Sequence, residues 1–466
     1  MAARLSTRFK SNGTLLQLTT GNVATVKNSG LLFTTVVDKA WYNAFVNWMI
    51  TIMMKHKKQS CNFFAQAPID TLGAATSTYT AGDGSILYTY TGKTRSDLHR
   101  FGTLLQAWGW TLTSHQSVNN DTSVFETYQK GNEVYHLYCT ADKPDRLRVA
   151  YSDHANLPES PEGTTGAFET AVVQLNLPLT AANEYSNGMG YVVRLADGTF
   201  LIFDGGYAEQ ADQIWNTLVK LHGSEDGIVI RAWCLTHAHG DHYGVLDQFS
   251  QTYAKRLTLE RFIALPVNAS DASDTFFNTG LQTTVLPRYD GAVLTVPHTG
   301  MVFRFCNLTL EILYTADEHL IDGKPDGFDF NSSGTVYRLS GDGDSMLFLG
   351  DAMNDVTSRL TAIWGTALES NLVQVSHHGV GNSPVEFYES LHATVLFYPA
   401  GHKLYYGPNN DYGQSEAFAN NWNRNGAVRK ALEESGKYSI YLHGEHAYMR
   451  TWGSQDPAAQ EFQATN

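Results

Sequence analysis

Cysteine is scarce in this chain: Cys61, Cys139, Cys234 and Cys306 are the four among 466 residues. They are scattered and form no C-x-x-C pair. That spacing excludes a zinc ribbon and a disulfide framework, and it predicts buried, reduced thiols. Long apolar runs are missing as well. The best membrane candidate, Ala44–Met54, has 11 residues, is interrupted by Asn47 and is too short to span a bilayer. The N-terminus lacks the charged, apolar and small-residue succession of a secretory signal, so the default expectation is a cytoplasmic protein. Basic residues are also short: 32 Lys and Arg stand against 46 Asp and Glu, a formal charge of −14. Coating a nucleic acid requires Lys and Arg against phosphates. An extended nucleic acid is therefore not the expected partner, though a small local basic pocket remains compatible. No internal repeat or low-complexity tract is found.

What is present fits a globular protein of two or three domains, with 42% hydrophobic and 12% aromatic residues. Residues 1–65 carry little periodic signal and read as an extension of unknown role, with a short helix expected over Trp41–Met54. Residues 66–160 read as a small α+β accessory domain that packs against or shapes a substrate site. Ile86–Thr91 alternates like a strand, and Leu98, Phe101, Leu104, Leu105 and Trp108 recur at helical spacing before Gly109. Val124–Tyr128 and Glu133–Cys139 flank a hairpin turn, and Arg146–Tyr151 supplies a last strand. Asn156–Gly166 reads as a linker. From residue 168 to 466 strands and helices alternate, which predicts a layered α/β domain. Its expected strands include Ala171–Leu177, Gly190–Leu195, Thr199–Phe203 and Ile228–Leu235.

The last of these runs leads into His237-Ala238-His239-Gly240-Asp241-His242. Three imidazoles and a carboxylate in six residues at a strand end are donors that zinc and similar divalent ions prefer. His237 and His239, two apart on an extended segment, point to one face. Asp241 and His242 follow where Gly240 lets the chain turn. Two distant stretches have matching character. Ser345–Gly350 is an apolar run ending in Asp351, a carboxylate placed to bridge two metals, though a plain helix N-cap is an equally simple reading. Leu372–Ser376 leads to His377-His378-Gly379, which suggests one ligand and one partner facing substrate. Ser383 is expected to cap a helix starting at Pro384.

Taken together, His237–His242, Leu349-Gly350-Asp351-Ala352 and Ser376-His377-His378-Gly379 resemble the metallo-β-lactamase-fold hydrolases. Gly190–Gly206, ending in Asp204-Gly205-Gly206, is similar to that fold's opening strands. With its double histidine and Asn331-Ser332-Ser333, the style is similar to the hydrolase domain of competence DNA-uptake proteins and to bacterial phosphorylcholine esterases. The resemblance covers roughly residues 168–460 and implies a four-layered αββα sandwich. It implies that His237 and His239 bind one of two divalent metals, expected to be Zn²⁺ with Mn²⁺ as a possibility. Asp241 and His242 bind the other, Asp351 bridges, and His377 or His378 completes the second while its neighbour faces substrate. Asp204 is expected to orient ligands from behind. Many relatives carry a further histidine for the first metal, but here Asp329-Phe330-Asn331-Ser332-Ser333 occupies that place. His298, His319, Asp329, Asn331 or water would then fill the position.

The implied function is a metal-dependent hydrolase using a metal-activated hydroxide. Asp241, His377 and His378 are its candidate catalytic groups, and a phosphodiester or other phosphate ester of a small molecule is its expected substrate. A carboxylic ester, lactone or β-lactam is the runner-up, and a catalytically silent metal-binding sensor or scaffold is the reading from another class. The intact Asp241 and Asp351 speak against the silent form. His402, Tyr405 and Tyr406 follow the expected strand Thr394–Tyr398 and are candidates, with Asn331, for gripping substrate. His443 and His446 read as structural.

Overall fold

The structure is a computed structural model. It describes residues 6–11, 14–19, 23–28, 31–36, 67–153, 157, 166–178, 187–266, 276–317, 330–381, 383–406, 428–444, 446–456 and 458–464. The expected helix over Trp41–Met54, most of the expected linker, Cys61, His319 and Asp329 lie outside these residues. The chain divides into two compact units, Met1–Thr71 and Leu72–Asn466. No helix among the described residues is long and apolar enough to cross a membrane.

The first unit differs from the sequence expectation. Four strands, Ser6–Ser11, Thr14–Thr19, Val23–Asn28 and Leu31–Val36, pair in chain order as an antiparallel sheet. The signal was in the sequence. Alternating β-rich runs are separated by Asn12-Gly13 and Ser29-Gly30, pairs that favour two-residue connections between strands.

The second unit opens with a six-stranded antiparallel sheet, ordered Ser77–Thr80, Ile86–Thr91, Lys143–Ser152, Glu133–Thr140, Ser123–Lys130, Thr111–Val118. The helix Arg95–Ala107 lies against it, burying Leu98, Phe101 and Leu105, with the Phe101 ring edge-on to Tyr135. The two outer strands, Ser77–Thr80 and Thr111–Val118, were not legible. They are half exposed and carry few of the large apolar residues that mark a strand.

The rest is a four-layered αββα sandwich. One sheet runs Val293–Thr295, Arg261–Ile263, Val229–Cys234, Phe200–Asp204, Gly190–Arg194, Ala171–Gln174, Ala447–Thr451, Gln460–Phe462, with Thr258–Leu259 beside Val229–Cys234. The other runs Val302–Phe305, Leu308–Tyr314, Val336–Gly341, Asp344–Phe348, Leu372–Gln374, Val395–Tyr398, Ser439–Leu442. Each inner strand is apolar on both faces because both faces are covered. Tyr191, Val193, Leu201 and Phe203 point between the sheets, where Phe203 stacks on Phe348 at 3.8 Å. Val192, Phe200, Ile202 and Trp233 point outward, against the helices Ala211–His222 and Val245–Tyr253. The helices Asn354–Trp364 and Val385–Ser390 cover the second sheet, with Val356, Leu360, Ile363 and Phe387 in its core. Strict alternation of strand and helix fails between Val302 and Phe348. Four strands there pair antiparallel with no α-helix among the described residues between them.

The six-stranded sheet packs on this second sheet and on the helix Asn354–Trp364. Phe125 stacks on Trp364 at 4.9 Å, Gln116 Nε2 donates to Glu311 at 2.6 Å, and Arg359 Nε donates to Asp142 at 2.9 Å. At the seam His136 Nε2 donates to the Thr299 carbonyl at 2.9 Å, and the Tyr138 hydroxyl donates to Asp317. Of the cysteines, Cys139 and Cys234 are buried free thiols, whereas Cys306 is partly exposed at a strand turn.

Candidate metal centre

The parallel strands of both sheets end at one edge, and the chemistry sits on the turns that follow. Past Cys234 the strand ends, and the chain bends at Ala238 and enters a helical turn, Gly240–Tyr243, capped by His239 in extended conformation. Gly240 itself does not adopt a left-handed conformation; the turn is made by the start of that helix. His237 Nε2 lies 3.0 Å from His239 Nδ1, and His237 Nε2 is 3.6 Å from Asp351 Oδ2. These three residues form one group of converging donors. Asp241, His242 and His378 form a second, with His378 Nε2 at 3.0 Å from Asp241 Oδ2. Asp351 reaches both, since its oxygens also lie 3.2 Å from His242 Nε2 and 3.4 Å from His378 Nε2. It is not a helix cap: the cap of Asn354–Trp364 is Met353.

The double histidine is separated by backbone conformation. His377, His378 and Gly379 have φ of 47°, 54° and 72°, three consecutive left-handed residues. Such strain is uncommon for residues with a side chain and persists only where the surroundings enforce it. Gly379 is required there, because a Cβ would lie 2.2 Å from the Tyr398 ring. The turn sends His378 into the cluster, buried, and leaves His377 partly exposed with Nε2 at 3.9 Å from Asp351 Oδ2. The His377 Nδ1 faces Met353 Sδ at 3.2 Å.

Asp204, fully buried at the end of its strand, takes 2.7 Å hydrogen bonds from the Thr236 amide and hydroxyl, and its Oδ2 is 2.7 Å from His242 Nδ1. A carboxylate behind an imidazole fixes the ring and leaves the other nitrogen for a ligand. Sequence reasoning missed Asn187, whose Nδ2 donates to Asp241 Oδ2 at 2.7 Å, and Gly188, whose amide lies 3.2 Å from His378 Nδ1. A lone Asn and a backbone amide carry no motif.

The electrostatics follow from three carboxylates side by side, Asp204 and Asp351 buried and Asp241 partly exposed. Burial would raise the Asp351 and Asp241 carboxyls, but neighbouring His242 and His378 outweigh it and hold both below the ordinary range. Burial would lower His242, yet Asp351, Asp241 and Asp204 push it well above its usual value. His378, against the same opposing burial, is raised to about 9 chiefly by Asp351. Burial and His242 depress His237. Buried carboxylates demand positive charge. The donor set suits divalent cations, since buried His242 Nε2, Asp351 Oδ1 and His378 Nε2 converge on one another and on Asp241, with no hydroxyl or backbone group closing them.

The other expected residues fall elsewhere. His298 pairs with Asp317 at 3.1 Å on the six-stranded-sheet side and does not join the His237 group. Asn331 is buried in the turn Phe330–Ser333, whose Phe330 ring sits 6.1 Å from that of His239. Among the described residues no further His, Cys, Asp or Glu joins His237, His239 and Asp351. An open pocket lies over the cluster, lined by Asn187, His239, Asp241, Asp351, His377, His378, Val380 and Leu404. From the helix His402–Tyr406 it is Leu404 that faces the cavity. The Tyr405 hydroxyl donates to Glu433 at 2.7 Å, the Tyr406 side is exposed, and the His402 ring packs 5.6 Å from that of Tyr406. Ser383 lies one residue before the cap of its helix, which is Pro384, and its hydroxyl donates to the Ala352 carbonyl at 3.2 Å.

A family profile described as the metallo-beta-lactamase superfamily matches residues 186–379. No curated protein matches the chain by sequence. Among solved structures, the metallo-beta-lactamase fold protein YhfI from Bacillus subtilis is 12% identical, with TM-score 0.36, covering 60% of this chain and 99% of that one. CmlA from Streptomyces venezuelae, a diiron beta-hydroxylase, is 14% identical with TM-score 0.39, covering 61% of this chain and 54% of its own. Zinc-bound PqqB from Methylobacterium extorquens is 11% identical with TM-score 0.32, covering 59% and 98%.

Proposed function

We propose that residues 186–379, a metallo-β-lactamase superfamily domain, together with the strand ends around them, act as a metal-dependent hydrolase of a small phosphodiester or other phosphate ester. The observation that supports this most is the convergence of His237, His239 and Asp351 with Asp241, His242 and His378 under one open cavity. Two divalent cations bound by these groups, Zn²⁺ in the first instance, would acidify water and polarise a substrate oxygen. The chain's own residues do the rest. Asp351, facing both groups, holds them in a common frame. Asp204 and Thr236 set the His242 ring, and Asn187 sets the Asp241 carboxylate. His377, on the cavity wall and outside both donor groups, presents Nε2 as the site from which a proton passes to a leaving oxygen.

Turnover of bis-p-nitrophenyl phosphate, p-nitrophenyl acetate and nitrocefin, each with and without a chelator, tests the reading. Chelator-sensitive turnover of the phosphodiester above the other two is expected. Preference for the acetate or nitrocefin would replace the substrate class, and no chelator-sensitive turnover of any would favour a silent metal-binding protein.

A further inference from the structure

His443 follows the last strand of the second sheet, Ser439–Leu442, and its ring is 1% exposed. Its Nε2 lies 3.0 Å from the Gly188 carbonyl oxygen. A carbonyl only accepts, so Nε2 carries a proton. Burial pushes the ring's pKa down to about 3, so it is neutral over the working range. The backbone holds the ring in place, because the His443 amide donates to the Tyr398 carbonyl at 3.2 Å.

What His443 grips is the segment that braces half of the metal centre. Asn187 Nδ2 donates to the Asp241 carboxylate at 2.7 Å and the Met189 amide to the Asp241 carbonyl at 3.0 Å, while the Gly188 amide packs 3.2 Å from His378 Nδ1, the nitrogen that donates to the Pro399 carbonyl at 3.0 Å. The fit is close: Gly188 has φ +123°, and a Cβ there would come within 2.8 Å of the Asp241 carbonyl oxygen. Three consecutive residues thus touch both Asp241 and His378. The peptide between Gly188 and Met189 is fixed at one end by Asp241 and at the other by His443.

We propose that His443 is a positioning residue for the Asp241–His378 half of the centre, acting through the Gly188 carbonyl. The inference rests on the metal-centre reading above. Groups that support ligands from behind are worth about 10- to 100-fold in metal affinity. The test is cobalt titration of the purified full-length protein, followed by the Co²⁺ visible spectrum and competition with a chelator. His443→Gln keeps an amide N–H at the reach of Nε2, and His443→Asn places it near the Nδ1 position, short of the carbonyl. The Asn variant should lose about 10- to 100-fold in one binding step and change the cobalt spectrum. The Gln variant should stay near wild type. Equal behaviour of the two variants, or an unaltered Asn variant, overturns the proposal while leaving the centre intact. A wild-type protein that takes up no cobalt overturns the metal-centre reading and this proposal with it.

Discussion

Two buried clusters of histidine and aspartate lie in the larger unit, and their polar atoms end differently. At the seam with the six-stranded sheet, Asp317 takes hydrogen bonds from Tyr138 and from Thr315 at 2.9 Å, and faces His298 at 3.1 Å. His136 is held between Thr127 and the Thr299 carbonyl, each at 2.9 Å. Of the ring and carboxylate atoms of His136, His298 and Asp317, His298 Nε2 is left over. At the strand ends, His242 Nε2, Asp351 Oδ1 and His378 Nε2 face only one another and Asp241. Both clusters use the same residue types. The seam closes on hydroxyls and a carbonyl, as structural polar groups do. The strand-end cluster has no such closure, and an open cavity lies above it. Residue type therefore does not distinguish a ligand from a core histidine; the partners do.

That contrast can be broken in order of expected effect. Asp351→Ala should cut chelator-sensitive turnover on the order of 10³-fold or more, the scale at which charge-stabilising groups act. Full activity in a turnover assay would remove Asp351 from the site. Asp317→Ala should instead cost about 3–5 kcal/mol of stability, because it leaves His298 buried without its counter-charge. Urea unfolding should show that loss while the number of metals bound stays at the wild-type value; a changed metal count would merge the two clusters into one.

A pH series separates them further. His136 is held at about 4 by burial, against about 6.5 in the unfolded chain. The unfolded chain binds that proton first, so stability is full above pH ~6.5 and declines toward pH 4 by roughly 3 kcal/mol. In urea midpoints at pH 7.5 and 5, His136→Gln should lose less than wild type; parallel losses would count against the assignment. Chelation gives a smaller effect. A metal present at 100 times its Kd stabilises by about 2.7 kcal/mol, so stripping it should lower the Tm of wild type and of Asp317→Ala but not of Asp351→Ala. Last, Asp204→Asn should weaken metal binding by about 10- to 100-fold with the cluster otherwise in place. A chelator-competition titration identical to wild type would show that His242 needs no carboxylate behind it.

Local clusters were legible and long-range support was not. His237 to His242 is one run of sequence, so its donors are close whatever the fold. Asp351 stood out as a carboxylate after an apolar run and a glycine. The sequence left His377 and His378 equivalent, because the choice lies in three left-handed residues packed on Tyr398. The brace from Asn187 to Met189 and the His443 contact are invisible in sequence, since they join segments over 50 residues apart and run largely through the backbone amides and carbonyl of Gly188 and Met189. The strands at residues 6–36 were legible in principle from their alternation and Asn-Gly and Ser-Gly breaks, whereas Thr111–Val118 was hidden by its polar, exposed face.

The sequence by itself determined the donor types, the runs that carry them and the layered α/β class, because apolar periodicity and local spacing are written residue by residue. Only the tertiary structure decided which histidine enters the cluster, which stays on the cavity wall, and that His298 belongs to the seam. Those outcomes depend on where strand ends meet and on which buried atoms find partners, and neither is a property of any one segment.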